Sequence, residues 1–594
     1  MGLYILLMLH EFVSMMILMK RMLWLCMGDF EKAFPRTDRS DLLVLLFNGP
    51  RIRDGAFALL EDIMAWDKIR VWLSGCSSTT LHNGLPEGGS LGSLLYTTLP
   101  DALVRALLRA GFGVGINFQM PAAWTTHVWT CAGTPVPGLV ASLVDALKSG
   151  GRLPSCALLR AWPALEASGA RALDVCAPER VAAVLHADDP LFLASSAGEL
   201  QRTLDFMAAW AHDHRARFHA SMSKSIVMTL PREVDSPPVL SLAAHSGAEQ
   251  MPLTYKLAHR WLGIRWPFDL SFDAALREAV GRASAACAPL IGLVCSAAVP
   301  ITLAMEIFEV KVESVLRCNR WLYALSPYAE TCLDELFETW SRSFVGAEPW
   351  RNCGVARSEL GWHLSGFARA VRCVALRRAR LWSRGGSDWY VSFFAHTSAL
   401  GVGWAGASAR LLQKWGIADW SDVAGFCPTY ASYKSYVTSV LVGTCSISLM
   451  TEVATHQAQV PYTTFQGAPS LAILEVRSLG LPWLVQLQFR GWLRLRAGLP
   501  CLRALHGRRS SARHQFCIFC GMGVRNGTVH AVGLCSTWNE WRTAFFAASG
   551  FPPQNPDQTC KIVLGMSPRS TGFPEAVALC SKIDEGAAVY WRGV

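Results

Sequence analysis

Val181-Ala182-Ala183-Val184-Leu185-His186-Ala187-Asp188-Asp189-Pro190-Leu191-Phe192-Leu193-Ala194 decides how the rest of this chain is read. Two short apolar runs flank a pair of carboxylates, a pattern that predicts strand, tight acidic turn and strand. Apolar residues on both sides predict a buried hairpin that presents Asp188 and Asp189 at the rim of a core. Adjacent carboxylates repel unless a cation lies between them. Asp-Pro is also a common turn signal, and taken alone the stretch reads more readily as a polar turn.

A second stretch changes the balance. Leu23-Trp24-Leu25-Cys26-Met27-Gly28-Asp29-Phe30-Glu31-Lys32-Ala33-Phe34 reads as another apolar strand that ends in a carboxylate, Asp29, with Phe34 five residues on. Three carboxylates at strand ends can hold two Mg²⁺ ions for phosphoryl or nucleotidyl transfer. With this pair in place, the chain resembles the reverse transcriptases of non-LTR (LINE-like) retrotransposons, and further motifs follow in the same order.

Gly84-Leu85-Pro86-Glu87-Gly88-Gly89-Ser90-Leu91-Gly92-Ser93 runs into a helix predicted over 94–110. Its bare backbone permits close approach of a base pair or nucleotide, although a plain glycine-rich turn has the same composition. It resembles the family's second palm motif, with Glu87 where the family has Gln. Phe218-His219-Ala220-Ser221-Met222-Ser223-Lys224 resembles the fourth, with Ser221 in place of Asn. His259-Arg260-Trp261-Leu262-Gly263-Ile264-Arg265-Trp266 resembles the fifth, the primer grip. His186 stands where the family has Tyr before the paired aspartates.

The resemblance implies an α+β fold. A palm of antiparallel sheet with packed helices is followed by a helical thumb and a small C-terminal zinc knuckle. It implies RNA-directed DNA synthesis on an RNA template and DNA primer with dNTPs as substrates. Asp29 and Asp188 would bind two catalytic Mg²⁺ ions, supported by Asp189. Lys224 would protonate the leaving pyrophosphate. Phe34, Glu87 and Gly88 would line the nucleotide site, Phe34 as the gate against a ribose 2′-OH. Trp261, Leu262 and Gly263 would hold the primer, with Trp261 as a stacking or packing surface.

At 594 residues the chain is long enough for several domains. It is 51% hydrophobic with net charge +10, pI about 8.8 and mean hydropathy +0.25. That charge is compatible with a polyanionic partner without requiring one. The nineteen cysteines are scattered. Without a basic-flanked secretory signal they read as reduced thiols of an intracellular protein, and the resemblance implies the nucleus.

The regions expected are an apolar extension over 1–21, palm over 22–118, an insertion over 119–180 and palm again over 181–266. A helical thumb follows over 267–345, a helical basic region over 346–500 and the knuckle region over 501–594. Residues 1–19 nearly reach the length of a membrane span. His10 and Glu11 interrupt them, so a buried helix is expected and a membrane is not. The family's fingers region finds no room before Asp29, so the chain reads as truncated at its start. Further helices are expected over 37–47, 54–67, 199–214, 272–294, 301–323, 332–344 and 358–381. The last carries Arg369, Arg372, Arg377, Arg378 and Arg380, which suit either a solvated face or a nucleic-acid groove.

Arg494, Arg496, Arg503, Arg508, Arg509 and Arg513 lie in an acid-free run over 489–514, expected to contact phosphates. It leads into Cys517-x2-Cys520-x9-His530-x4-Cys535, a spacing suited to a closed tetrahedral Zn²⁺ site. Two other readings stay open: a non-catalytic nucleic-acid-binding remnant of a retroelement, and a membrane-associated protein anchored by its N-terminal apolar segment.

Overall fold

A computed structural model describes residues 2–18, 21–48, 52–65, 68–69, 79–80, 84–85, 92, 95–115, 180–186, 189–219, 224–346, 353–383, 394, 397–398, 401–455, 472–496, 517, 519–522 and 527–592. The chain is α+β, mostly helical with a mixed sheet. It forms two compact units, residues 1–272 with 378–411, and residues 273–377 with 412–594.

The first unit is built on five strands: β1 (Leu23–Met27), β2 (Ala183–His186), β3 (Asp189–Ala194), β4 (Ile226–Leu230) and β5 (Thr254–Tyr255), in the order β5-β4-β1-β3-β2. All residues of β1 and β4 are buried, so both faces are covered, and this explains their unbroken apolar runs. On one face Trp24, Cys26, Phe192 and Val227 join Leu99, Leu103, Leu204 and Met207 of the helices Thr98–Arg109 and Ala197–Asp213. Each such large apolar side chain contributes roughly 1.5–3 kcal/mol by leaving water. Ser196 caps the second helix by accepting from the Glu199 N–H at 3.2 Å, while Glu199 accepts from the Ser195 N–H at 2.8 Å.

The expected antiparallel sheet needs one correction. Edge strand β5 runs parallel to β4, with Thr254 opposite Ile226. The chain returns to the sheet edge through a separate two-stranded ribbon, Ser241–Ala243 with Gln250–Pro252. The insertion lies outside the described residues except for Arg180, which belongs instead to a strand: Val114–Gly115 pairs antiparallel with Arg180–Val181. The chain therefore leaves and re-enters at hydrogen-bonded neighbours. Gly113 (φ +106) makes this approach possible, since a Cβ there would meet the Ala182 nitrogen at 2.7 Å.

The N-terminal segment forms the helix Gly2–Leu18, with Leu7, Leu9, Val13 and Met16 buried. Glu11, 1% exposed, accepts from the Ala405 N–H at 2.7 Å, at the start of the helix Gly403–Lys414. Gly403 leaves room for that carboxylate, because a Cβ would lie 2.1 Å from Glu11 Oε2.

The second unit is helical. The helices Asp273–Cys295 and Ala329–Val345 follow the expected periodicity, while the helix expected over 301–323 is divided into Ile301–Ile307, a π-helical turn at Phe308–Val312, Glu313–Arg317 and Arg320–Tyr323. The helix expected over 358–381 is broken into Cys353–Glu359 and Gly366–Trp382, with Gly361 at φ +70 between them. One helix among the described residues, Asp273–Cys295, is long and apolar enough to cross a membrane. One of its faces is buried within the unit through Leu276, Ala283, Cys287, Leu290 and Val294. Residues 412–594 fall in one unit, which runs across the boundary expected at 500. The helix Trp483–Arg496 packs on Phe573–Arg592 so closely that a Cβ on Gly491 would lie 2.7 Å from the Ser581 Cα.

Candidate acidic site and metal centre

The register of the sheet assembles the acidic site. Met27 pairs with Leu191 on one side and with Ile226 on the other. The Gly28 N–H donates to the Pro190 carbonyl at 2.9 Å, carrying the first ladder one step further. The same registers bring Asp29 level with Asp189 at the start of β3 and with Lys224 just before β4. Lys224 Nζ lies 3.3 Å from Asp29 Oδ2, and the Asp29 carboxylate is 20% exposed. A carboxylate at this level thus has an acid on one flank and an ammonium on the other. Asp188, between β2 and β3 in sequence, is outside the described residues.

The loop after Asp29 is held from several directions. Its carbonyl accepts from the His219 N–H at 2.7 Å, the Glu31 N–H donates to Arg217 O at 2.9 Å, and Phe30 stacks on Phe218 with ring centroids 4.6 Å apart. Phe34 is half-buried with its ring 4.8 Å from that of Tyr96. The Leu85 N–H donates to the Phe34 carbonyl at 2.8 Å, and Gly84 (φ +95) passes Pro35 so closely that a Cβ would sit 2.8 Å from its carbonyl oxygen. The entry to the glycine-rich stretch is thereby fixed beside Phe34. Glu87 and Gly88 lie outside the described residues.

The fifth motif forms a hairpin, β6 (Ala258–Trp261) and β7 (Ile264–Pro267). Leu262 and Gly263 take φ 49 and 77, the two left-handed positions of a type I′ turn. Trp261 is 4% exposed and Trp266 fully buried. Trp261 is therefore a packing residue, not a platform for a stacked base, because strand alternation turns it inward with Ile264.

The arginines also need correction. Arg496 is buried against Glu359 (Nε–Oε2 3.2 Å), and its guanidinium lies over the Trp492 ring at 4.4 Å. Arg494 binds Asp584 at 2.8 Å. Both serve interior ion pairs, since a buried carboxylate needs a partner, and neither is presented to a phosphate. Arg369 likewise pairs with Glu313 at 2.7 Å, and Arg378 is 1% exposed, donating to Ser408 Oγ at 2.8 Å. Arg503, Arg508, Arg509 and Arg513 lie outside the described residues.

Cys517, Cys520, His530 and Cys535 converge, with all four ligand atoms within 4.8 Å of one another. Cys517 Sγ is 3.8 Å from Cys535 Sγ, and Cys520 Sγ is 3.2 Å from His530 Nε2. The first pair sits on a tight turn. The Gly521 N–H (φ +74) donates to Cys517 O at 2.9 Å, the Cys517 N–H to Met522 O at 2.7 Å and the Phe519 N–H to Cys517 Sγ at 3.4 Å. His530 and Cys535 come from the short helix Gly527–Gly533 and the turn after it.

Burial pushes the Cys517 thiol up to about 11, against donors from Cys520 and Phe519. Burial also acts upward on Cys520, but the Met522 backbone and the neighbouring thiols bring it below the usual value. His530 is lowered by burial and by the charge of Arg542. Three sulfurs and an imidazole nitrogen, largely buried and mutually close, can hold a metal ion such as zinc.

Sequence reasoning missed what supports this cluster. Arg542, 6% exposed, donates to the Ala531 and Cys535 carbonyls and so closes the end of the ligand-bearing segment. Trp538 packs edge-on to Phe519 with centroids 5.0 Å apart, and both rest on Gly586, where a Cβ would meet the rings at 3.0 and 3.1 Å. Neither contact had a local signal. Comparison of the chain with models of known protein families, and with curated proteins, found no match to either.

Proposed function

We propose that this chain is an RNA-directed DNA polymerase of the LINE-like retrotransposon type, with its nucleotidyl-transfer site at Asp29, Asp188, Asp189 and Lys224. The observation that carries this reading is the register holding Asp29 level with Asp189 on one side and Lys224 on the other. Two carboxylates at adjacent strand ends, one 20% exposed and the other half-buried, suit a hard divalent cation. Asp29 and Asp189, with Asp188 beside them in sequence, would hold Mg²⁺. Bound there, the ions would supply Lewis-acid activation of a primer hydroxyl and charge neutralisation at the triphosphate.

The remaining roles belong to this chain's own residues. Lys224, 57% exposed at its side chain, is able to leave Asp29 and give a proton to departing pyrophosphate. Phe34, fixed against Tyr96, occupies the position of the ribose gate. The finer reading of the Cys517, Cys520, His530 and Cys535 cluster is a structural zinc site, because all four positions are filled by protein ligands.

The test is primer extension on an RNA template by the full chain with Mg²⁺ and dNTPs. Templated products that disappear in Asp29→Asn are expected. A folded chain that binds primer–template without extending it would replace this reading with the non-catalytic remnant.

A further inference from the structure

A cluster in the second unit holds more cations than its acids match. Glu313 opens the helix Glu313–Arg317 directly after the π-helical turn, Arg320 opens Arg320–Tyr323, and Arg369 lies on Gly366–Trp382. Arg369 Nη1 donates to Glu313 Oε2 at 2.7 Å and Arg320 Nη1 to Glu313 Oε1 at 3.1 Å, while Arg317 Nη2 stands 3.9 Å from the same Oε1. Three guanidiniums thus share one carboxylate. Burial would raise the Glu313 carboxyl, and Arg369, Arg320 and Arg317 instead bring it down to about 2. Glu309, which is exposed, also acts on Arg369, and the charge of Arg320 acts on it in the opposite sense. His363, lowered by burial and by the charge of Arg369, brings no negative charge. Positive charge therefore remains in surplus.

Arg320 is the deepest member. Side-chain exposure falls from 61% at Arg317 through 18% at Arg369 to 1% at Arg320, so the cluster runs inward from the surface. The guanidiniums of Arg320 and Arg369 lie over one Phe337 ring, 6.0 and 5.0 Å from its centroid. Arg320 Nη1 is committed to Glu313, but Nε and Nη2 are buried without a hydrogen-bond partner. Those two atoms form one edge of the planar fork, and their N–H bonds point the same way, as two-point recognition of an oxyanion requires. Asn319 Oδ1, next to Arg320 in the chain, is also buried without a partner. A buried charge with unmet donors is strongly unfavourable until a counter-ion meets it.

We propose that the Nε–Nη2 edge of Arg320 is the binding site of one small tetrahedral oxyanion of the phosphate class. Glu313 holds the fork in place through Nη1, and Arg369 and Arg317 add the field that draws an anion inward. Hydrogenphosphate accepts at such an edge and keeps an O–H to donate, whereas chloride can do neither. The depth of Arg320 excludes the backbone of a nucleic acid, so the site takes a free ion and does not depend on the polymerase reading.

Equilibrium dialysis of the full chain against radiolabelled inorganic phosphate tests the site, with ionic strength held constant by chloride and no Mg²⁺ or nucleotide present. One phosphate per chain is expected, with an unfolding temperature that rises with phosphate as mass action requires. Arg320→Lys should bind phosphate about tenfold or more weakly, because the charge stays and the two-donor edge goes. Arg317→Gln alters an exposed side chain and keeps the test valid should Arg320→Lys fail to fold; it should weaken binding about threefold through lost charge. A folded wild-type chain that retains no phosphate overturns the proposal, as does uptake that neither variant changes. Displacement of the phosphate by an unphosphorylated oligonucleotide also overturns it, since the anion would then sit on an open nucleic-acid surface.

Discussion

Lys224 Nζ meets Asp29 Oδ2 at 3.3 Å, across a strand register that would align the two residues even without the ion pair. The ammonium is tethered to the carboxylate by geometry, yet the pair is open enough to part. In the polymerase reading, Lys224→Ala should slow extension about 10²-fold or more, within the usual range for loss of a positioned general acid. Asp29→Asn should abolish extension. Single-turnover rates with saturating dNTP provide the measurement. A Lys224→Ala rate within threefold of the wild type would remove the lysine from the chemistry.

Glu11 makes the first unit sensitive to pH. Burial raises its carboxyl to about 8 from an ordinary 4.5, opposed by hydrogen bonds from Thr397 and Ala405 and by the charge of Arg378. The folded value exceeds the unfolded one, so the contribution to stability is complete below about 4.5 and is lost as pH rises through about 8. His10 on the same helix, lowered to about 4 by burial, acts in the opposite sense: the unfolded imidazole keeps its proton up to about 6.5, so stability from this group rises to that pH and is constant above it. The fall shows where Glu11 alone acts: stability should drop by about 1 kcal/mol between pH 7 and 9, and Glu11→Gln should flatten that fall and exceed the wild type above pH 8. Denaturant melts across pH give the answer. A Gln variant with the wild-type profile would show that another group titrates.

What the sequence made legible and what it hid divide along physical lines. Strand β1 and the β2–β3 hairpin could be read because buried strands leave unbroken apolar runs, as at Leu23 to Met27. The Cys517, Cys520, His530 and Cys535 set could be read because its ligands lie close in sequence. The fate of the arginines could not, because a solvated guanidinium and a buried one look alike in one dimension. Arg496 finds Glu359 across 137 residues, and Arg494 finds Asp584 across 90. The same holds for Glu11, which looked like an interruption of an apolar run and instead caps a helix that starts 392 residues later, at Gly403.

The Arg496–Glu359 pair should behave as a buried ion pair. Glu359 is fully buried and Arg496 is 4% exposed. Removing one partner strands the other charge, so Glu359→Ala should cost about 3–5 kcal/mol. Replacing both with apolar residues of similar volume should recover most of that loss. Urea unfolding of the single and double variants measures the difference. Equal losses in both would mean that the pair contributes through packing alone.

The knuckle should depend on metal, and also on helices that lie far from it in sequence. Its ligand turn docks through Phe519 and Trp538 on Gly586, and Gly533 meets Pro556 so closely that a Cβ would fall 2.2 Å from its carbonyl oxygen. Metal loss should therefore loosen the helices Pro556–Gly565 and Phe573–Arg592 along with the ligand loop. The full chain should carry one zinc by elemental analysis. Cys520→Ser should lose it, and chelation should expose backbone amides of both helices to hydrogen exchange. Arg542 touches the carbonyls of Ala531 and Cys535 but none of the ligand atoms, so it acts as a positioning residue. Arg542→Ala should weaken zinc about 10–100-fold in competition with a chelating dye, as loss of a supporting contact does at other metal sites. Gly586→Val should separate packing from ligation: the metal stays with the four ligands while exchange protection of Phe573–Arg592 falls. If chelation left both helices as protected as before, the cluster would be a peripheral ornament and not the organiser of this end of the unit.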